Sequence, residues 1–512
     1  MNSTTICILV SIVVYMAAVV GIGIIFLRKN KNTEDFYLGG RKLGPFVTAM
    51  SAEASDMSSW LLMGLPGVAL ISGLADASWT AIGLAIGTYI NWLIVAKRLR
   101  IYTHMSNNSA TVPAFFSNRY RDNKKILSVI SAIVIVIFFV PYTASGFAAC
   151  GKLFNSLFGI DYFTAMICSA LVIVVYTTLG GFLAASTSDF IQSIVMTIAI
   201  FVVIIYGVTS VGGMGVVMDN ATSMAGYFSL TSSYDPVADK ATPYGILNIV
   251  STLAWGLGYF GMPHILLRFM AIEKPEKIKL SRRVATVWVV ISMTVSIFIG
   301  IVGNAMVKRG VITGLEDSER IIVKIAGLIS EHGILAAIVA GVILAGILAA
   351  TMSTADSQLL AAASGVSQNI VKEVLVKDLS EKASMIIARL TLLGISVIGV
   401  IIASNPESSV FAIVSFAWAG FGATFGPVML AALFWKRSNM QGALAGMISG
   451  AIAVFAWKFL VRPLGGLWNI YELLPAFLIS LAFIVVVSLL TKEPSKEVVE
   501  EFEQVAEEVK KF

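Results

Sequence analysis

Charge is scarce in this chain: Asp, Glu, Lys and Arg make up 13% of its 512 residues, about half the share (roughly 25%) of an ordinary soluble domain. Together with 57% hydrophobic residues and a mean hydropathy of +0.87, this excludes a water-soluble globular protein and predicts a polytopic membrane protein. Cysteine is sparse too. Cys7, Cys150 and Cys168 lie far apart without C-x-x-C spacing, so neither a disulfide framework nor a zinc or iron site is expected. His104, His264 and His332 form no H-E-x-x-H pair. Residues 5–27 lack both a basic start and a small-residue cleavage site, and read as a retained span rather than a signal peptide. Long hydrophilic stretches are missing as well: residues 212–244 and 492–512 are too short for a soluble catalytic domain. No nucleophile, base and orienting group recur at workable spacing, so no enzyme is expected.

What is present is a succession of apolar runs. Windows of about 19 residues predict about thirteen spans, beginning near residues 5, 46, 77, 126, 161, 189, 245, 284, 333, 385, 408, 440 and 471. Lys and Arg crowd segments 28–42, 97–125, 274–283, 372–382 and 492–511 and thin out between them. By the positive-inside rule this puts the N-terminus outside and the C-terminus in the cytoplasm of a multi-pass plasma-membrane protein. The same asymmetry, facing lipid headgroups, accounts for the net charge of +6 without nucleic acid. Residues 1–491 form one transmembrane domain. In the acidic remainder, 492–512, Val498, Phe502, Val505 and Val509 recur at helical spacing, which predicts a short amphipathic helix at the cytoplasmic surface and reads as a solvated tail.

Polar residues inside the spans are few and clustered. A carboxylate at the bilayer centre costs about 2.5–3.5 kcal/mol, so it faces a partner, a cavity or an ion. In the second span, Ser51-Ala52-Glu53-Ala54-Ser55-Asp56-Met57-Ser58-Ser59-Trp60 precedes Gly64, Pro66, Gly67 and Gly73. Such a segment is expected to break, and broken backbone at membrane depth survives where it lines a cavity or is buried in protein. Amides freed near Asp56 to Ser59 suit a carboxylate, and freed carbonyls suit a sodium ion. The alternative is a small-residue packing interface with Asp56 paired to a basic residue.

A second interruption falls at Trp255-Gly256-Leu257-Gly258-Tyr259-Phe260-Gly261-Met262-Pro263, whose aromatics face either a ligand or lipid. In the ninth span, Thr351, Ser353, Thr354, Asp356 and Ser357 offer hard oxygens of the kind small cations need, unless each hydroxyl only bonds back to its own helix. Ser186-Thr187-Ser188-Asp189 either caps the sixth span or joins a site. Two broken helices five spans apart, starting from opposite sides, are the pattern of inverted-repeat transporters, with spans two to six and seven to eleven as the repeats.

At these motifs the chain resembles the sodium/solute symporter family, and it is similar to the proline-transporting bacterial members along nearly all of its length. The resemblance rests on Asp35-Phe36-Tyr37-Leu38-Gly39-Gly40-Arg41, on Ser55-Asp56-Met57-Ser58 with Trp60, on residues 176–189 and on Trp255 to Gly261. It also rests on Met352-Ser353-Thr354, Asn405-Pro406-Glu407, Trp418 to Gly422 with Phe425-Gly426-Pro427, and Gly442 to Gly446. It implies an all-α, leucine-transporter-like core of two inverted five-helix repeats, with one extra N-terminal and two extra C-terminal spans. It implies sodium as the coupling ion, held by the carbonyls of Ala54, Met57 and Ala350 and the hydroxyls of Ser353 and Thr354. Asp56 would be the essential carboxylate, influencing sodium binding. Ser58, Trp60, Tyr142, Trp255, Tyr259 and Pro263 would shape the pocket for L-proline, beside the freed amides reaching Ser59. Asp189, Asp356 and Ser357, with Ser353, fall where some members build a second sodium site. Glu53 and Ser59 depart from the glycines usual in the proline-transporting members. The other readings are a sodium- or proton-coupled carrier of another small organic solute. No obligate protein partner is expected beyond the lipid bilayer.

Overall fold

The apolar runs fold as helices, because a bilayer leaves no other way to satisfy the backbone of an isolated segment. The computed structural model describes residues 3–28, 31–376, 379–405 and 409–511; Pro406 and Glu407 of the Asn405-Pro406-Glu407 motif, and Phe512 of the tail, lie outside them. The principal helices are α1 (Ser3–Leu27), α2 (Pro45–Asp56), α3 (Trp60–Ser72), α4 (Leu74–Met105), α5 (Ile126–Phe158), α6 (Tyr162–Ser210), α7 (Ile246–Phe260) and α8 (Pro263–Ala271). They continue with α9 (Pro275–Lys308), α10 (Ile334–Leu375), α11 (Glu381–Ile402), α12 (Val410–Phe434), α13 (Met440–Leu464), α14 (Leu473–Leu490) and α15 (Lys496–Lys510). A two-stranded hairpin, β1 (Ser232–Asp235) with β2 (Lys240–Pro243), decorates the connection before α7.

Among the described residues, ten helices are long and apolar enough to cross a membrane, and eleven crossings result when the bent α2–α3 pair is taken as one. The thirteen expected spans differ at two places. Those expected near 161 and 189 run together in α6, 49 residues in which two helices meet at a kink at Gly181. Straight, it would run about 74 Å at 1.5 Å per residue, against a hydrocarbon core of about 30 Å. Gly181, at φ 62° and ψ −160°, breaks its regularity, a conformation that glycine adopts without Cβ strain. The span expected near 245 is divided into α7, itself short, and α8. Because the kink falls at Gly181, Ser186 to Asp189 lie inside helix and cap nothing.

Apolar side chains remain exposed along the outer helices, including Val14 and Ile25 on α1, Leu171 on α6, Leu390 and Ile401 on α11 and Leu490 on α14. On a soluble protein such a belt would drive aggregation; on this one it meets lipid. The interior is built around α2, which packs against α6, α8, α9 and α10. At one end of the bundle the start of α2 and the end of α8 are strapped together: Leu43 N donates to Ala271 O at 3.1 Å and Glu273 N to Leu43 O at 3.0 Å. Arg41 reinforces the strap by donating to Met270 O at 2.7 Å and Ser109 O at 2.8 Å. α2 departs from this end and α8 arrives at it, as antiparallel repeats require.

The tail departs from expectation. α15 buries Val498, Phe502 and Val505, and the Phe502 ring lies under the guanidinium of Arg98 at 4.7 Å and that of Arg119 at 5.3 Å. Glu501 is ion-paired with Arg121. The apolar stripe that predicted an amphipathic helix docks it on protein, so the segment is not a solvated tail.

Candidate functional site

Met57, at φ −77° and ψ 65°, ends α2, and the chain turns by 59° into α3. The polar island thus sits at a break deep in the bundle, where Glu53, Ser55, Asp56, Ser58 and Ser59 are all buried. Two side chains stabilise the turn: Trp60 Nε1 donates to Asp56 O at 3.2 Å, and the Ser58 hydroxyl accepts from Trp60 N at 3.3 Å.

The second break faces the first. α7 tightens over Ala254–Phe260 before the chain re-enters helix at Pro263, the first residue of α8. Carbonyls freed by the tightening are taken up by neighbours: Trp418 Nε1 donates to Trp255 O at 2.8 Å, and Asn91 Nδ2 to Tyr259 O at 3.0 Å. The Tyr259 hydroxyl crosses to α2 and donates to Asp56 Oδ2 at 2.5 Å. Trp60 and Trp255 approach to 6.2 Å between ring centroids, and Tyr259 meets Trp418 edge to face at 5.1 Å. Around the two breaks Asp56 Oδ1, Ser59 Oγ and Tyr142 OH are buried without hydrogen-bond partners, Tyr142 OH having Ser58 and Asp56 as neighbours. Burying a polar atom unpaired costs about 1–3 kcal/mol, so three together mark a place for a polar ligand. The pocket residues named from the resemblance cluster around the two breaks, with Pro263 contributing a helix start rather than a contact.

On the other side of α2, Ser353 Oγ of α10 donates to Ala54 O at 2.8 Å and lies 3.1 Å from Ala350 O; Thr354 Oγ1 lies 3.2 Å from the same carbonyl. Met57, whose carbonyl completes the expected set, is the residue at the break. Back-bonding is real here, since Thr351, Ser353, Thr354 and Ser357 all bond to carbonyls of their own helix. Only Ser353 among them also reaches a carbonyl of α2. Carbonyl and hydroxyl oxygens gathered at a broken helix are the donor set a small hard cation takes.

Asp189, Asp356 and Ser357 also come together, around a cation of the protein's own. Arg268 of α8 donates to Asp189 Oδ2 at 3.2 Å, to Ser357 Oγ at 2.5 Å and to Ser51 Oγ at 3.0 Å. Ser51 bonds to Asp189 Oδ2 at 2.6 Å, and Asp356 accepts from Tyr176 and, at 2.9 Å, from Ser357. Among the carboxylate oxygens of this cluster, only Asp189 Oδ1 lacks a partner. Sequence reasoning missed Arg268, although a lone cation in an apolar helix is itself a signal. It also assigned no site role to Asn91, or to Trp418 of the Trp418 to Gly422 motif, which complete the second break.

The profile of the "Sodium:solute symporter family" matches residues 36–450. The "Sodium/proline symporter" of Escherichia coli (strain K12) is 41% identical over 490 residues, covering 95% of this chain and 94% of the relative. The "Osmoregulated proline transporter OpuE" of Bacillus subtilis (strain 168) is 40% identical over 491 residues, 96% of each. Among solved structures, a substrate-bound, outward-open Na+-coupled sialic acid symporter superposes with a TM-score of 0.79 at 17% identity, over 96% of this chain and 99% of that one. Mhp1, a nucleobase-cation-symport-1 family transporter in a closed conformation, gives 0.52 at 13% identity over 92% and 98%.

Proposed function

The chain belongs to the sodium:solute symporter family, and on that premise we propose that it imports L-proline with sodium across the plasma membrane by alternating access. The observation that carries the reading is the adjacency of two unlike sites at one break. On one face of α2 lie the oxygens of Ala54, Ala350, Ser353 and Thr354; on the other lie Asp56 and its aromatic neighbours.

Each site suits its cargo. The carbonyls of Ala54, Met57 and Ala350 and the hydroxyls of Ser353 and Thr354 would hold sodium, the hydroxyl protons rotating away so that lone pairs face the ion. A zwitterion with an apolar ring needs an acceptor for its ammonium, donors for its carboxylate and an apolar wall. Asp56 Oδ1 is the acceptor, Ser59 Oγ and Tyr142 OH are the donors, and Trp60, Trp255 and Tyr259 are the wall. Sodium bridging α2 and α10 pre-orders the break from which the solute site is built. By linkage, whatever factor sodium adds to solute affinity, solute adds to sodium affinity.

We place a single sodium in the cycle. The Asp189–Asp356–Ser357 cluster already holds a guanidinium, and one free oxygen does not make the several-ligand shell that a small hard cation requires. The Lys/Arg-rich connections support an orientation with the strapped end of α2 and α8 in the cytoplasm, α15 on the same side and the Ser72 end of α3 outside. The test is purified protein in liposomes with an imposed sodium gradient and a panel of labelled solutes headed by L-proline. Proline is expected to accumulate, and replacing sodium by choline at fixed pH to abolish accumulation. Uptake of another solute with proline excluded, or uptake indifferent to sodium, overturns the reading.

A further inference from the structure

Glu53 is a buried acid with no counter-ion. It is 1% exposed and lies three positions before Asp56, on the same side of α2. Among the described residues no Lys, Arg or His is ion-paired with it; its hydrogen-bond partners are Trp92 and Thr88. The buried guanidinium of this core, Arg268, bonds to Ser51, two positions away and so on the opposite side of α2, and is taken by Asp189. Asp356 joins that cluster through Ser357, and His264 of α8 lies beside the Ser55 backbone, again on the opposite side. α7 brings Tyr259, whose hydroxyl is committed to Asp56, and α5 brings Tyr142 to Asp56 rather than to Glu53. The stretch of α9 between Arg283 and Lys308 holds no titratable residue.

What surrounds the carboxyl group decides its protonation. Oε1 is satisfied, since Thr88 Oγ1 and Trp92 Nε1 both donate to it at 2.9 Å, but Oε2 is buried without a partner. Asn91 stands between those two donors on the same face of α4. Its Nδ2 donates to Tyr259 O at 3.0 Å, and because a carbonyl only accepts, this bond settles which way the amide points. Asn91 Oδ1 is left buried without a donor. Two acceptor oxygens therefore lie at the α2–α4 contact with no donor for either. Here α4 widens into a π turn over Asn91–Val95, a distortion that recurs at functional sites. An ionised carboxylate buried without a counter-ion neutralises itself. Sodium would need several more oxygens than these two, whereas a proton needs one oxygen to sit on and one to be shared with.

We infer that Glu53 is a proton-binding site, holding its acidic hydrogen in the transport-competent protein with Asn91 Oδ1 as the available acceptor. Of the two carboxyl groups on this side of α2, only Asp56 is then charged. Neighbouring acids in a dry core do not both ionise, and this division leaves Asp56 free to accept the ammonium of the solute. Loss of the proton as pH rises puts a second negative charge beside Asp56 and takes the donor from the α2–α4 contact, so transport fails on the alkaline side. The role given to Asp56 rests on the reading of the transported solute above; the proton on Glu53 does not.

Sodium-driven proline uptake followed against pH, together with infrared spectroscopy of the purified full chain, tests it. Wild-type uptake is expected to fall on the alkaline side by about ten-fold per pH unit, as the loss of one proton requires. Glu53→Gln, whose amide supplies both the acceptor and the hydrogen, is expected to stay within about two-fold of its maximal rate through the same range. At the pH of maximal uptake, the spectrum of wild type minus that of Glu53→Gln is expected to show the C=O stretch of a protonated carboxylic acid. Thr88→Val removes a donor that favours the ionised form and is expected to carry the alkaline limb to higher pH; it decides the matter alone if Glu53→Gln does not fold. No acid band in the difference spectrum, the same alkaline limb in wild type and Glu53→Gln, or a limb unmoved or lowered by Thr88→Val overturns the proton site. If proline is not transported at all, the reading of the solute falls, while the infrared difference still decides whether Glu53 holds a proton.

Discussion

Glu53 and Asp56 lie three positions apart in α2, yet their carboxylates have different surroundings. Glu53 Oε1 accepts from Thr88 Oγ1 and from Trp92 Nε1, both at 2.9 Å, which ties α2 to α4. Asp56 is bonded through one oxygen to Tyr259 and leaves the other free. In the sequence the two are equivalent acids in one polar island; what separates them is which donors the third and seventh expected spans bring up, and no local spacing encodes that. Asp56→Ala is expected to abolish sodium-stimulated proline uptake, and uptake retained at normal sodium affinity would remove it from the site. Glu53→Gln keeps the acceptor oxygen and is expected to change the solute half-saturation constant by less than about three-fold, whereas Glu53→Ala strands the Trp92 and Thr88 donors at about 1–3 kcal/mol. Ser353→Ala removes one oxygen from the cation set. A hydrogen-bond-sized loss of about 1.5 kcal/mol raises the sodium half-saturation constant about ten-fold. Titrating proline uptake against sodium checks this, with the proline constant returning to within about two-fold of wild type once sodium saturates, as linkage demands.

At the scale of elements, the two breaks were legible because their causes are local: Pro66 and three glycines around the first island, Pro263 and three glycines around Trp255. The break between the expected fifth and sixth spans was legible but misplaced: hydropathy starts the sixth span near 189, whereas the conformation of Gly181 starts it earlier. The tail shows the same limit. Its period of apolar residues announces a helix, but the surface that receives it is made of Arg98, Tyr102 and Arg119, far away in sequence. Close packing at the second break depends on Gly256, where an added Cβ would fall 2.2 Å from the Gly83 carbonyl oxygen of α4. Backbone cannot yield as a side-chain tip can, so Gly256→Ala forces α7 from α4 at about 1–3 kcal/mol. Gly21→Ala, with nothing within 4 Å of its Cβ position, is the control. In thermal unfolding of the detergent-solubilised protein, the first is expected to lower Tm and weaken proline binding, and the second to leave both unchanged; equal behaviour would show that the α4–α7 contact does not set the pocket.

For the whole molecule the deciding feature is where the buried Arg268 sits. Arg268 joins α8 to Ser51 of α2, Asp189 of α6 and Ser357 of α10, so one guanidinium links the first repeat to the second. Removing one partner of such a buried pair costs about 3–5 kcal/mol, since the other is left charged and uncompensated. The same guanidinium occupies the Asp189–Asp356–Ser357 cluster, and the single-sodium proposal made on that ground sets the charge moved per cycle. One sodium with a neutral zwitterion carries a single positive charge. A potential of about 60 mV, negative inside, then contributes about 1.4 kcal/mol per turnover, a ten-fold gain in accumulation. In liposomes with a ten-fold inward sodium gradient and no potential, net proline flux is expected to vanish at a ten-fold proline gradient, and at a hundred-fold one when about 60 mV is added. Two sodium ions would move those balance points to a hundred-fold and ten-thousand-fold. Flux reversal at the higher pair would show that Asp189 and Asp356 take up sodium despite Arg268, and that the guanidinium must leave the cluster during transport.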